Sequence, residues 1–194
     1  MIIYDEADEL FIQQGNQQAC INLKEHLVQL KISPQIIMFS ATFSNEVMNN
    51  IDKFINSYES FTLPNKSLRL DNVKQFKYMI KGDKVRFLEE LYNKLSVTMT
   101  MIFVNKIETA ISIKNFLDKN QLKGEILYGK LDDKERDSII DRFRNINFNV
   151  LISTNVLARG IDIPQVDLVV NYDVPTIPEM GFLNPDYANY IHRV

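Results

Sequence analysis

The sequence predicts an α/β fold in which short strands alternate with amphipathic helices. Seven short apolar runs, rich in Ile, Val, Met and Phe, punctuate the chain: Met1–Tyr4, Ile36–Phe39, Phe76–Ile80, Met101–Val104, Glu125–Leu127, Val150–Ile152 and Asp167–Asn171. Several of them lack polar alternation, which is typical of strands that are covered on both faces. Because strands that alternate with helices are joined by right-handed crossovers, we expect parallel sheets flanked by helices.

Helical periodicity fills several of the intervals between these runs. In each of three intervals the apolar residues are spaced so that they lie on one face of a helix. These residues are Phe87, Leu88, Leu91 and Leu95 in the first, Ile107, Ala110, Ile111 and Leu117 in the second, and Ile139, Ile140 and Phe143 in the third. Asp132 followed by Glu135 predicts a capping box at the start of the third helix. The stretch 175–185 contains three prolines and one glycine, so we expect a loop there and no helix or strand.

A domain boundary is predicted near Leu63–Val73, where Pro64–Ser67 breaks the pattern of elements. Residues 1–72 carry five lysines and arginines against nine acidic residues, whereas residues 73–194 carry 17 against 16. The formal net charge of the whole chain is −3. A nucleic-acid partner is therefore expected to bind at a local site, because no general positive field is available to hold it.

Composition excludes several classes of protein. Apolar residues make up 45% of the 194 residues and charged residues 24%, a mixture typical of globular domains. No apolar run is long enough to span a membrane, and the first residues do not resemble a secretory signal. A single cysteine, Cys20, excludes an internal disulfide, and two histidines are too few for a Cys/His zinc site. We expect a reducing, intracellular compartment.

The tetrapeptide Asp5-Glu6-Ala7-Asp8 directly follows the first apolar run. Ligands bind at the carboxyl ends of strands in open parallel sheets, and Mg²⁺ prefers carboxylate oxygens together with retained water. One carboxylate can hold the ion while its neighbour orients an attacking water. The alternative is an acidic strand-to-helix turn that acts as a helix N-cap.

Two further polar segments follow apolar runs. Ser40-Ala41-Thr42 closes the run Ile36–Phe39, and its hydroxyls can bond the backbone and a neighbouring carboxylate, or else cap a helix over Asn45–Phe54. The segment 154–162 combines a hydroxyl, a guanidinium, a glycine and a carboxylate. Thr154 and Arg159 could bind phosphate oxygens and Asp162 a ribose hydroxyl, or Arg159 and Asp162 could form a local ion pair.

Together these segments resemble the motifs of the DEAD-box RNA helicases, in the family's order. Residues 5–8 resemble motif II, 40–42 motif III, Ile102–Asn105 motif IV, 154–162 motif V and Tyr190–Arg193 the start of motif VI. The loop residues Gln14–Gln17, Ser40–Phe43 and Asn184–Asp186 are most similar to the mRNA-export helicases of the nuclear pore's cytoplasmic face.

The resemblance implies two RecA-like lobes that clamp ATP and single-stranded RNA between them. Residues 1–72 would be a part of the first lobe, with about three strands, and residues 73–194 nearly all of the second. The resemblance implies that Asp5 and Glu6 bind the Mg²⁺ ion, that Glu6 also activates water, and that Asp8, Ser40, Thr42 and His192 act in coupling and catalysis. It implies that the nucleotide is bound by Arg159, Gly160 and Asp162. The residues that it implies on the RNA side are Phe103, Asn105, Arg136, Thr154 and Arg193.

The same resemblance implies the cofactors ATP and Mg²⁺ and a single-stranded RNA or mRNA–protein particle as substrate. The implied protein partners are a nuclear-pore activator and a nucleoporin. No membrane partner is expected. The implied location is the cytoplasm and the cytoplasmic face of the nuclear pore, or the nucleus. Because about three strands are too few to cover their own faces, we also expect the first-lobe part to self-associate.

Departures from the family pattern limit what these residues would do alone. The family's P-loop and adenine-reading Gln motif would precede Met1, and its arginine fingers would follow Arg193, so we expect little ATP hydrolysis by the 194 residues themselves. Asp133 stands where a Gln is usual ahead of Arg136, and Tyr128 replaces a His. Two alternatives remain open: a non-catalytic RNA- or partner-binding module, and an unrelated receiver or flavin-binding α/β fold.

Overall fold

A computed structural model describes residues 1–62, 73–95, 98–154, 163–179, 182–186, 189–190 and 193. The chain divides into two compact units, Met1–Asn72 and Val73–Val194. Each unit has a parallel sheet flanked by helices, so the predicted α/β class is confirmed. None of the helices in the described ranges combines the length and the hydropathy needed to cross a bilayer.

The first unit packs three helices against a small parallel sheet. Its elements are β1 (Ile2–Tyr4), α1 (Ala7–Ile12), α2 (Gln14–Gln29), β2 (Ile36–Met38) and α3 (Asn45–Phe54). The rings of Tyr4, Phe11 and Phe54 meet edge to face, with centroids 5.1–6.0 Å apart, and form the centre of its core. Residues 1–62 thus supply two of the roughly three strands that were expected from residues 1–72.

The second unit contains a four-stranded parallel sheet covered on both faces. Its elements are α4 (Lys84–Lys94), β3 (Thr100–Phe103), α5 (Ile107–Lys119), β4 (Gly124–Leu127), α6 (Asp133–Arg144), β5 (Val150–Ser153), β6 (Leu168–Asn171), β7 (Thr176–Glu179) and β8 (Phe182–Pro185). The strand order is β4-β5-β3-β6. Helix α6 packs on one face, and α4 and α5 pack on the other. Every residue of β3 and β5 is buried, which explains their continuous apolar runs.

The predicted capping box at the start of α6 is confirmed. The Asp132 carboxylate accepts a hydrogen bond from the Glu135 backbone N–H at 2.7 Å, and the Glu135 carboxylate accepts one from the Asp132 N–H at 3.1 Å. These bonds satisfy two backbone donors that the first turn of a helix leaves without partners. They define where α6 begins, a few residues after the carboxyl end of β4.

The predicted strand over Phe76–Ile80 is wrong. Residues 73–83 form no strand, and the side chains of Phe76 and Met79 are 90% and 84% exposed. Tyr78 instead stacks on Phe87 of α4, with ring centroids 4.4 Å apart. An apolar run forms a strand only when a neighbouring backbone pairs with it, and none does so in the described part of the chain.

The prediction that 175–185 forms no element is also wrong. Strands β7 and β8 pair antiparallel, with Thr176 opposite Pro185 and Pro178 opposite Leu183. Proline lacks a backbone donor, but both strands of a two-stranded ribbon have an unpaired side on which that donor is not needed. The three prolines therefore reduced the apparent strand signal without preventing the pairing.

Candidate functional site at the carboxyl ends of the strands

In the first unit, two polar segments meet at the edge where β1 and β2 end. The strands are parallel and in register from Ile2 opposite Ile36 to Tyr4 opposite Met38. Beyond the strands, the Phe39 N–H donates to the Tyr4 carbonyl at 2.8 Å and the Ala7 N–H donates to the Phe39 carbonyl at 2.9 Å. Residues 5–8 and 40–42 are thereby held side by side, as the sequence predicted from the strand ends.

A hydrogen bond joins these two segments directly. The Thr42 hydroxyl donates to Oδ2 of Asp8 at 2.6 Å, and Asp8 is only 1% exposed. Ser40 shapes the same turn, because its hydroxyl donates to the Thr42 carbonyl at 2.8 Å and accepts from the Thr42 N–H at 3.3 Å. Helix α3 is capped by Ser44, so Ser40 and Thr42 do not serve as its N-cap.

Glu6 has an unusual backbone at the start of α1. Its φ and ψ are both 49°, in the left-handed region that side-chain-bearing residues rarely adopt. It occupies the N-cap position, yet its side chain makes no capping hydrogen bond. Asp5 is exposed, and its Oδ1 accepts from the Glu6 N–H at 2.9 Å. A simple acidic N-cap therefore does not account for residues 5 and 6, whereas strained backbone is common at functional sites.

The donor set at this edge fits a magnesium ion that shares its shell with a phosphate. Within the described ranges no three His, Cys, Asp or Glu side chains are grouped as in a closed protein cage. Mg²⁺ seldom uses such a cage, because it keeps several waters and binds through one or two carboxylates plus substrate phosphates. The exposed Asp5 and the partly exposed Glu6 provide those carboxylates.

In the second unit, Asp173 connects three elements at the sheet's carboxyl edge. Its Oδ1 accepts from Lys84 Nζ at 3.0 Å, and its Oδ2 accepts from the Asn105 backbone N–H at 3.1 Å. The Asn105 amide donates to the Val174 carbonyl at 2.8 Å. Asn105 thus fastens the exit of β3 to the segment that follows β6.

Arg193 is buried beneath this edge of the sheet. It is 3% exposed, and its guanidinium lies 4.7 Å from the ring centroid of Phe103 and donates to Oδ1 of Asn171 at 3.0 Å. Burial lowers the pKa of Arg193 to about 10, while the nearby carboxylates of Asp186 and Asp173 act in the opposite direction. Phe103 is itself only 2% exposed. In this conformation both residues support the edge from within.

Thr154 and Arg136 lie where β5 and β4 lead into the next segments. The Thr154 N–H donates to the Leu127 carbonyl at 3.1 Å, which brings the exits of β4 and β5 together. Arg136 lies in the first turn of α6, where its NH1 contacts Oδ1 of Asp133 at 3.3 Å. Arg136 is therefore near the same edge as Thr154 and retains partial exposure.

Four predicted site residues, Arg159, Gly160, Asp162 and His192, lie outside the described residues. Their roles stay predictions. In contrast, Lys84, Asn171 and Asp173 take part in the edge although motif reasoning did not select them. A signal was available for two of them, since Asn171 ends an apolar run and Asp173 follows it, at the same edge as the other strand ends.

Residues 83–194 match the family of helicase conserved C-terminal domains. The chain belongs to this family, and its motifs place it among the DEAD-box RNA helicases. It is 40% identical over 197 residues to the ATP-dependent RNA helicase DBP5 of Candida glabrata, an alignment that covers 100% of the chain and 38% of that protein. The expected similarity to the mRNA-export subfamily is confirmed.

Solved structures of yeast relatives match the same fold. Saccharomyces cerevisiae Dbp5 bound to RNA and ADP–BeF₃ is 38% identical, with a TM-score of 0.83 over 98% of this chain and 48% of that one. A variant of the same yeast protein bound to Nup159, Gle1, IP6 and ADP is 33% identical, with a TM-score of 0.59 over 98% of this chain and 47% of that one. The second unit, a parallel sheet flanked by helices, matches the RecA-like C-terminal lobe of these relatives. The chain spans less than half the length of these relatives.

Proposed function

We propose that the chain is part of an ATP-dependent RNA helicase that hydrolyses ATP while it clamps single-stranded RNA, in mRNA export. The observation that carries this proposal is the junction of residues 5–8 with residues 40–42 at the carboxyl ends of two parallel strands, fastened by the Thr42–Asp8 hydrogen bond. This junction leaves Asp5 exposed and Glu6 partly exposed at the edge where a nucleotide phosphate would bind.

In this proposal Asp5 and Glu6 hold Mg²⁺, which would neutralise charge on the phosphates of ATP. Glu6 also orients the attacking water in this proposal, since its partly exposed carboxylate makes no helix-capping hydrogen bond. Asp8, Ser40 and Thr42 keep the two segments at a fixed spacing through their hydrogen bonds. Arg159, Gly160 and Asp162 would contact the nucleotide, and His192 would connect to residues 5–8.

The second unit would contact the RNA backbone through the edge formed by Asn105, Arg136 and Thr154, with Phe103 and Arg193 supporting that edge from within. Contacts to phosphates do not read base sequence, so RNA binding is expected to be largely independent of sequence and sensitive to salt. The structure of the yeast relative with RNA and ADP–BeF₃ supports this assignment.

The partners that we propose are a nuclear-pore activator and a nucleoporin, at the cytoplasmic face of the nuclear pore. The relative that binds Nup159 and Gle1 with IP6 supports both. A non-catalytic RNA- or partner-binding module is the second candidate, because the proposed RNA contacts of Asn105, Arg136 and Thr154 do not depend on Asp5 or Glu6.

A chimera tests the catalytic proposal. Residues 1–194 replace the matching segment of S. cerevisiae Dbp5, and RNA-stimulated phosphate release is compared with that of the chimera carrying Glu6→Gln. Because Glu6 is proposed to act on the attacking water, the substitution is expected to lower kcat by about 10²–10⁴ while RNA binding is retained.

Glu25→Gln provides the matched control, since Glu25 is an exposed residue of α2 and the same charge is removed. It is expected to leave turnover unchanged. Turnover retained by the Glu6→Gln chimera would remove Glu6 from the chemistry. A folded chimera that binds RNA without any turnover would favour the non-catalytic candidate.

A further inference from the structure

We propose that Asp133 lowers the affinity for RNA by competing with phosphate for the guanidinium of Arg136. This inference rests on the proposed role of Arg136 in RNA binding. The two residues lie three positions apart in the first turn of α6, and NH1 of Arg136 is 3.3 Å from Oδ1 of Asp133. Side chains with this spacing are neighbours on the surface of a helix.

The Asp133 carboxylate takes no part in the capping hydrogen bonds of α6. The capping box of α6 uses the carboxylates of Asp132 and Glu135, both of which accept backbone hydrogen bonds. The Asp133 side chain is 94% exposed, and its contact within the described residues is with Arg136. A capping requirement therefore explains the acidic residues on either side of it but does not explain Asp133.

Arg136 lies where a phosphate would meet it. Helix α6 begins a few residues after β4, at the carboxyl edge that also contains Thr154, whose N–H bonds the last residue of β4. The Arg136 side chain is 28% exposed. A phosphate approaching this guanidinium must displace the carboxylate or accept its repulsion, and both effects weaken binding.

The size of the effect follows from what exposed ion pairs contribute. Such pairs are worth little individually, so removal of the competing charge is expected to tighten RNA binding about two- to fivefold at low salt. One phosphate contact would also become fully available. The slope of log K against log salt is then expected to become steeper by as much as about 0.7, the value for one contact to a single strand.

The test measures binding of a fluorescein-labelled oligouridylate to the 194-residue chain by anisotropy over a series of KCl concentrations. Asp133→Asn removes the competing charge and keeps the side-chain shape. Asp141→Asn is the matched control, because Asp141 forms an equivalent pair with Arg144 at 3.7 Å at the opposite end of the same helix. Only Asp133→Asn is expected to bind more tightly.

An Arg136→Gln background separates competition from a general charge effect. If Asp133 acts through Arg136, the gain from Asp133→Asn disappears in that background. Equal gains from Asp133→Asn and Asp141→Asn, or a gain that survives Arg136→Gln, would overturn the inference while the proposed function stands. No salt-dependent binding by any of these folded proteins would overturn the RNA-binding part of the proposed function, and this inference with it. Asp133→Gln serves as the second variant if Asp133→Asn is unstable.

Discussion

At the scale of single residues, the hydrogen bond from Thr42 to Asp8 is the contact with the clearest energetic consequence. Asp8 is nearly inaccessible to solvent, and the bond spans 34 positions of sequence at 2.6 Å. A buried hydrogen-bond acceptor that loses its donor is costly, because it cannot bond to water instead. The bond therefore stabilises the first unit as well as the spacing of its two polar segments.

Thr42→Val is expected to destabilise the first unit by about 1–3 kcal/mol, because it withdraws the hydroxyl donor from Asp8 and preserves the shape of the side chain. The loss in free energy of unfolding is measured by urea unfolding, with hydrogen exchange in peptides from residues 1–62 as the signal. Thr62→Val, at an exposed position of the same unit, is expected to change stability by less than about 0.5 kcal/mol. Equal stability of the two variants would contradict the structural role of the bond.

The sequence predicted that the two segments of this junction lie at one edge, because each follows an apolar run and parallel strands end at a common edge. The sequence did not show which of the candidate site residues are exposed and which are buried. Phe103 and Arg193 were expected on the RNA side, yet both are almost fully buried and contact each other. A pairing between residues 90 positions apart has no local signature, so only the folded chain reveals it.

At the scale of elements, the strands of the four-stranded sheet follow the predicted runs within a residue or two, because strands buried on both faces are continuously apolar. The two errors have a common origin. Phe76–Ile80 has a strand-like sequence without a pairing partner, and the β7–β8 hairpin has a pairing partner despite its prolines. Pairing is a property of two segments, and it decides strand formation where the sequence of one segment is ambiguous.

Gly124 provides the test of packing between elements. A Cβ at this position would lie 2.6 Å from Cδ1 of Leu117 in α5 and 3.1 Å from the Val150 carbonyl in β5. Gly124→Ala is therefore expected to destabilise the second unit by roughly 1–3 kcal/mol in urea unfolding.

The matched control is Gly15→Ala in α2, where a Cβ would meet no atom within 4 Å. There the substitution is expected to raise stability by about 0.4–1 kcal/mol, since alanine has less conformational freedom to lose on folding. An increase in stability at both glycines would show that the close approach of α5, β4 and β5 at Gly124 tolerates a methyl group.

At the scale of the whole molecule, the two units differ in how completely their sheets are covered. In the second unit helices pack on both faces of the sheet. In the first unit Tyr4 faces the core, while its neighbour Ile3 is 53% exposed, as expected for residues that point to opposite faces of a strand. Phe39, just after β2, is 57% exposed. Within the described residues, this exposed apolar surface is the physical basis for the proposed self-association.

Self-association through this face predicts a concentration-dependent sedimentation coefficient for the 194-residue chain. Ile3→Lys is expected to raise the dissociation constant about tenfold or more, because burying an isoleucine side chain contributes roughly 1.5–3 kcal/mol. Ile111→Lys, at a comparably exposed position of α5, is the control and is expected to leave association unchanged. A single monomeric species at all concentrations would exclude this interface.

The left-handed backbone of Glu6 has a consequence for protein engineering. Glycine or asparagine would adopt φ 49° with less steric cost, so an algorithm that optimises thermal resistance alone would favour replacing Glu6. Such a replacement would delete the carboxylate that we assign to water activation. The same residue therefore has both the conformational cost at position 6 and the proposed chemistry. A more thermostable variant of this protein would have to gain its stability at other positions.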